Sequence, residues 1–257
     1  MRISVITVAF NSSQTIGDTL DSVASQTYSE LEHLVIDGAS KDATLDVIRG
    51  RAHERMRCFS EPDRGIYDAM NKGLKTASGE VIGFLNSDDM FADREVLTSI
   101  AGVFEDPQVD VCFGDLVYVS HDNQRIVRYW KSRAFMPGDF AHGWCPAHPT
   151  FYVRRSAIDR LGGFDLLFKL AADADFMMRY LETAKLVSKY IPRVLVRMRV
   201  GGITNKNLMN VIRQNRDIFA SLRKNGIQFS IISFLFFKVA SRLGQYWRRK
   251  HRTSGVH

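Results

Sequence analysis

Val81-Ile82-Gly83-Phe84-Leu85-Asn86-Ser87-Asp88-Asp89 decides the fold class of this chain. Residues 81–85 carry no polar side chain and show no alternation between an inner and an outer face. The run then stops in a polar, acidic turn. A strand of that kind is covered on both sides, as in a parallel sheet sandwiched between helices. Residues 3–10 repeat the pattern. Ile3, Val5, Thr7 and Ala9 alternate with Ser4, Ile6, Val8 and Phe10, both sets are mostly apolar, and Asn11-Ser12-Ser13 follows with turn and helix-cap chemistry. Leu34-Val35-Ile36 stops at Asp37 in the same way. Helices are predicted over residues 14–27, 43–54 with Asp42 as cap, 66–77 and 94–104, and a strand over 109–119. Strands and helices alternating on short connections imply an α/β domain with a mostly parallel central sheet flanked by helices.

Beyond residue 120 the pattern loosens around Gly138, Gly143, Pro146 and Pro149. Helical spacing returns over 154–161 and 172–184, and a strand over 186–199. The last 50 or so residues read as helices.

The 257 residues carry a formal net charge of +7, unevenly placed. Residues 206–257 hold 11 Lys and Arg against one acid, Asp217, for +10; residues 1–205 hold 24 bases and 27 acids, for −3. A nucleic-acid binder would line its folded body with positive charge, so no nucleic-acid partner is expected. Cys58, Cys112 and Cys145 are widely spaced and form no CxxC pair, which fits a reducing compartment. The first residues enter a strand at once and lack the features of a signal peptide, so a cytoplasmic location is expected.

In an open parallel sheet, ligands bind beyond the carboxyl ends of the strands. Here those ends present Asn11, Asp37 and the Asp88-Asp89 pair. Adjacent carboxylates raise each other's pKa unless a cation or donors neutralise them. Mn²⁺ or Mg²⁺ does so through oxygen ligands and also holds a diphosphate. No GxGxxG follows the first strand and no GxxxxGK[ST] occurs anywhere, which removes the main dinucleotide and P-loop signatures.

Further segments join these: Gln26-Thr27-Tyr28, Val35-Ile36-Asp37-Gly38-Ala39-Ser40-Lys41-Asp42-Ala43-Thr44, Glu61-Pro62-Asp63-Arg64-Gly65-Ile66-Tyr67-Asp68-Ala69-Met70-Asn71-Lys72-Gly73, Gly79-Glu80, Gly163-Phe164-Asp165 and Ala172-Asp173-Ala174-Asp175. In that order, over residues 3–200, the chain resembles the inverting family 2 glycosyltransferases of bacterial surface-polysaccharide assembly. The resemblance implies the GT-A nucleotide-diphospho-sugar transferase fold over residues 1–205, with a nucleotide-binding half at about 1–119 and an acceptor half at about 120–205. It implies that Asp37 and Asp63 bind the base of a nucleotide-sugar, usually uracil, framed by the backbone from Ala9 to Asn11. Asp88 would lie near the ribose, Asp88 or Asp89 would hold the metal, and Asp173 would be the catalytic base. Asn86 stands where the family often has an acid, so the two metal candidates stay open. Ala172 stands where it often has Glu, which leaves Asp175 as a rival base. The two lie about 200° apart on a helix, so one faces the cleft, and Asp173 is favoured. The segment ending in His148-Pro149 resembles one near the acceptor or diphosphate, and Gly201-Gly202-Ile203-Thr204 one that closes over the donor, although it also reads as a simple turn. The QxxRW motif of processive synthases is absent, so one sugar per encounter is expected.

His142, Cys145 and His148 lack a fourth ligand at a familiar zinc spacing. In the tail, Phe229, Ile232, Phe236, Val239, Leu243 and Tyr246 recur at steps of three and four, with Lys238, Arg242, Gln245 and Arg249 on the other side. The apolar run 227–237 is too short to span a bilayer, which needs about 20 residues. Residues 206–257 therefore read as a basic amphipathic helical extension on an anionic membrane surface, the inner face of the cell membrane, or else packed on the domain. The reading is transfer of one sugar from a UDP-sugar donor to a lipid-linked or other saccharide acceptor. A nucleotidyltransferase would need a Gly-rich basic loop after the first strand, and a non-enzymatic membrane adaptor would leave the strand-end acids without a purpose.

Overall fold

The computed structural model describes residues 1–201 and 208–250. Its strands are β1 (Ile3–Ala9), β2 (Leu31–Asp37), β3 (Met56–Ser60), β4 (Val81–Phe84), β5 (Asp89–Phe91), β6 (Val111–Val119), β7 (Ile126–Trp130), β8 (Tyr152–Arg154) and β9 (Ser188–Arg199). Its helices are α1 (Ile16–Ala24), α2 (Thr44–Gly50), α3 (Ile66–Thr76), α4 (Val96–Val103), α5 (Arg155–Leu161), α6 (Ala172–Met178), α7 (Leu208–Lys224) and α8 (Ile231–Lys250). The strands form one sheet in the order β3-β2-β1-β4-β8-β6-β9-β5, and β7 pairs with β6 off this path.

The parallel expectation holds for β3-β2-β1-β4. Past β4 the sheet becomes mixed: β8 runs antiparallel to β4 and β6, β7 to β6 and β5 to β9, while β6 and β9 are parallel. Every residue of β1 and β2 is buried, as their lack of a polar face requires. Ile6, Val8, Leu34 and Phe84 share a core with Ala69, Met70 and Leu74 of α3 and with α6. On the opposite face Ile3, Val5 and Val81 pack with Val96, Leu97 and Ile100 of α4. β3 was not anticipated: most of its residues are exposed, so it shows neither an apolar run nor alternation.

The C-terminal extension docks on the domain. Ile218 and Leu222 of α7 and Phe234 of α8 are buried in the core that contains Ile6 and Phe113. α8 nonetheless leaves Ile232 83%, Phe236 67% and Val239 57% exposed. These are the residues of the predicted stripe; the opposite side, through Phe234, is the side that packs. The run 231–237 is apolar nearly all round, so one face can dock while another stays bare. No helix among the described residues is long and apolar enough to cross a membrane. The segment at residues 202–204, the boundary at 205, Lys206 and the last basic residue, Arg252, lie outside the described residues, as do the side chains expected to extend the stripe beyond Ala240.

Candidate active site

The carboxyl ends of β1 and β2 are tied into one wall. Asn11 (φ 48°) and Ala39 (φ 59°) both adopt the left-handed region, which costs a non-glycine residue on the order of 1 kcal/mol. Hydrogen bonds hold the strained loops in place: Asn11 N–H donates to Ser40 Oγ at 2.8 Å, Lys41 N–H to Asn11 Oδ1 at 2.9 Å, and Gly38 N–H to the Ala9 carbonyl at 2.9 Å. Asp37 is fully buried and accepts from Ser40 N–H at 3.0 Å, Ser40 Oγ at 2.5 Å and Ser60 Oγ at 2.6 Å. A carboxylate offers about four acceptor positions, and three are taken here with no surface open, so Asp37 shapes the wall. Asp63 is more open. It accepts from Gly65 N–H at 2.8 Å and stands so close over Gly38 that a Cβ there would lie 2.4 Å from Asp63 Oδ2. Beside it Phe10 is 59% exposed at the strand end, an aromatic face that the strand pattern alone did not mark as a site residue. Ser60 was also missed, because its strand was.

The turn after β4 separates the two acids of the NSDD element. Asp89 is wholly buried; burial, then the neighbouring Asp88, pushes its carboxyl well above the usual range. Asn86 Nδ2 donates to its Oδ2 at 3.3 Å, while Oδ1 has no hydrogen-bond partner. The Asp89 carbonyl accepts from Thr19 Oγ1 at 2.7 Å, which fixes the turn on α1. Asp88 is half-buried, and burial raises its pKa as well. Arg199, itself buried and paired with Asp18, donates to the Asp88 carbonyl at 3.3 Å rather than to its carboxylate. The donor set suits a hard divalent ion: a half-buried carboxylate with a raised pKa, backed by a second with an orphaned oxygen. No cluster of three metal-ligating side chains exists among the described residues, including His142, Cys145 and His148, so phosphate and water oxygens would complete the shell.

α6 carries the second acidic pair. Asp173 is half-buried, and its Oδ1 accepts from Tyr67 Oη at 3.1 Å and from Ala174 N–H at 2.9 Å. Asp175 is fully buried and faces α7 instead. Arg179 Nε reaches it at 2.9 Å, Ser221 Oγ at 2.8 Å, Asn225 Nδ2 at 3.1 Å and Lys224 Nζ at 3.3 Å. The alternative of Asp175 as a rival base is corrected here, since a carboxylate with four donors and no open surface is a structural pin.

An aromatic cluster joins this pair to the end of β4. Phe164 packs on Phe84 (5.2 Å between ring centroids), His148 (5.5 Å), Tyr67 (5.6 Å) and Phe176 (4.7 Å). His148 also stacks on Phe84 at 5.3 Å. Its burial holds the imidazole below the ordinary histidine range, opposed by the charge of Asp173, and its Nε2 is buried without a hydrogen-bond partner. Tyr67 lines a cleft of about 290 Å³ with Arg64, Ile66, Phe168 and Lys169.

The family model described as glycosyl transferase family 2 matches residues 4–162. A PGL/p-HBAD biosynthesis glycosyltransferase of Mycobacterium bovis is 30% identical over 207 residues, 79% of this chain and 78% of that protein. An uncharacterized glycosyltransferase of Mycobacterium tuberculosis is 34% identical over 181 residues, 69% of this chain and 68% of that one. Among solved structures, S. aureus TarS 1–349 with UDP-GlcNAc superposes with a TM-score of 0.63 at 19% identity, over 99% of this chain and 74% of that one. Glucosyl-3-phosphoglycerate synthase of Mycobacterium tuberculosis, with Mn²⁺, UDP and glucosyl-3-phosphoglycerate, gives 0.61 at 16% identity, over 89% and 81%. The fold is GT-A, and the chain is a glycosyltransferase belonging to glycosyl transferase family 2.

Proposed function

We propose that this enzyme transfers one sugar from a UDP-sugar to a hydroxyl of a lipid-linked or other saccharide acceptor, with inversion at the anomeric carbon and Asp173 as general base. The observation that carries this reading is the half-buried Asp173, whose Oδ1 is held by two donors. A sugar hydroxyl is a weak nucleophile, and a positioned carboxylate takes its proton as the new bond forms. The base of the nucleotide stacks on Phe10 between the Asp63 carboxylate and the Ala9–Asn11 backbone, with Asp37 holding that wall from behind. Asp88 would hold Mn²⁺ or Mg²⁺ beside the ribose, while Asp89 supports the turn from within. The bound ion supplies positive charge to the departing diphosphate. His148, through its unpartnered Nε2, meets an acceptor or phosphate oxygen. The test is NMR of the product of a matched donor–acceptor pair, found by thermal-shift screening of nucleotide-sugars with Mn²⁺. Inverted configuration is expected; a retained configuration rejects a single-base mechanism.

The exposed Ile232, Phe236 and Val239 on α8 favour a second element of the same reading, a peripheral position on the cytoplasmic face of an anionic membrane. The basic charge of the tail complements such a surface, at about 1 kcal/mol per Lys or Arg near it. Flotation with liposomes with and without anionic lipid tests it: binding that needs anionic lipid and is lost in Ile232→Ser/Phe236→Ser is expected. Equal recovery without lipid leaves α8 as a docked helix only.

A further inference from the structure

We propose that Tyr67 is a positioning residue for sugar transfer, acting by fixing which oxygen of Asp173 receives the acceptor proton. The inference rests on the reading of Asp173 as the base. Tyr67 occupies the first turn of α3, just after Gly65, whose φ of 117° lets the chain turn sharply into the helix. That entry leaves Ile66 41% exposed and sends the Tyr67 ring against Phe164, 5.6 Å between centroids. Phe164 stacks in turn on Phe176 of α6, three residues beyond Asp173. The ring is thus braced on the helix whose carboxylate its hydroxyl meets.

The contact itself is specific to one oxygen. Tyr67 Oη donates to Asp173 Oδ1 at 3.1 Å, and Ala174 N–H donates to the same atom at 2.9 Å. The terminal torsion of an aspartate is broad and nearly two-fold, so a carboxylate held at neither oxygen samples both faces. Two donors on Oδ1 remove that freedom and leave Oδ2 to accept from the incoming hydroxyl. The phenol is kept in its donating form: burial, then the charge of Asp173, pushes its pKa well above the ordinary tyrosine value. Tyr67 also lines the cleft shared with Arg64, Ile66, Phe168 and Lys169, so a single side chain borders open space and braces the base.

The experiment compares steady-state transfer by the full-length wild type, Tyr67→Phe and Asp173→Asn, with UDP affinity and melting midpoint measured on the same samples. Tyr67→Phe keeps the ring and its stacking and removes only the donor. We expect kcat to fall about 10- to 100-fold, the range for one hydrogen bond to a charged group, with donor KM and UDP affinity within about two-fold of wild type. An inactive Asp173→Asn beside a Tyr67→Phe of unchanged kcat overturns the role of Tyr67 and leaves the base in place. A Tyr67→Phe enzyme whose loss appears in KM or UDP affinity, with kcat intact, also overturns it. An active Asp173→Asn overturns the base reading itself.

Discussion

Two acidic pairs flank this site, and each divides its labour differently. In the turn after β4, Asp89 is buried with an orphaned oxygen and a strongly raised pKa, while Asp88 stays half-open. On α6, Asp175 is buried and fully satisfied by Arg179, Ser221, Asn225 and Lys224, while Asp173 stays half-open. In both, the outer carboxylate is half-open and the inner one is enclosed by the protein. They differ in compensation. Four donors surround the carboxylate of Asp175, whereas Asp89 has a long contact from Asn86 and the nearby Arg199, and burial still pushes its pKa up. The buried carboxylate of α6 is therefore satisfied by the fold itself, whereas the one in the β4 turn keeps an unpartnered oxygen.

The comparison predicts a graded set of effects. Asp173→Asn, which removes the base and keeps the shape, should lower kcat by about 10²- to 10⁴-fold. Asp88→Asn, or chelation of the wild type, should lower turnover by at least about 10²-fold, and added Mn²⁺ should restore only the chelated wild type. Rescue of the variant by Mn²⁺ would move the metal to Asp89. Asp175→Ala should cost about 3–5 kcal/mol in denaturant melts, because Arg179 and Lys224 lose their common partner inside the α6–α7 contact. His33 calibrates burial without a charge. Its ring is fully enclosed, and burial, then His53, pushes its pKa down to about 3 from 6.5. The unfolded chain takes up this proton near pH 6.5 and the folded chain does not, so stability present above 6.5 falls as the pH drops towards 3. The slope is about 1.4 kcal/mol per pH unit, and His33→Gln should flatten it in melts at pH 5 and 7. Asp89→Asn should have the smallest effect, with a melting midpoint unchanged or raised, since it removes a carboxyl whose charged form burial disfavours more than Asn86 and Arg199 offset. A loss as large as that of Asp175→Ala would erase the distinction between the pairs.

Much of this was legible in the residues. β1, β2 and β4 announce themselves because strands covered on both faces have no polar set, and their polar ends mark one edge of the sheet. β3 was not legible: its exposed residues, with Arg57 paired to Glu32, carry no pattern, so Ser60 and its hold on Asp37 stayed hidden. Neither acidic pair could be sorted by spacing alone. The sorting of Asp175 depends on Ser221, Lys224 and Asn225, nearly 50 residues away on a helix that reads as part of a basic tail. The amphipathic stripe of α8 was found from its spacing, but which side docks was decided by Phe234 meeting Phe219, a tertiary contact. Tyr67 stood inside a recognisable segment, yet its partner Asp173 lies 106 residues further along.

The most direct test of the account is transfer by Asp173→Asn and Asp175→Asn side by side, with turnover per folded molecule and melting midpoint from the same preparations. The account predicts that Asp173→Asn melts like the wild type and turns over about 10²- to 10⁴-fold more slowly, while Asp175→Asn melts lower and its folded fraction turns over within a few-fold of wild type. The reverse pattern, an active Asp173→Asn beside a stable but inactive Asp175→Asn, would contradict it.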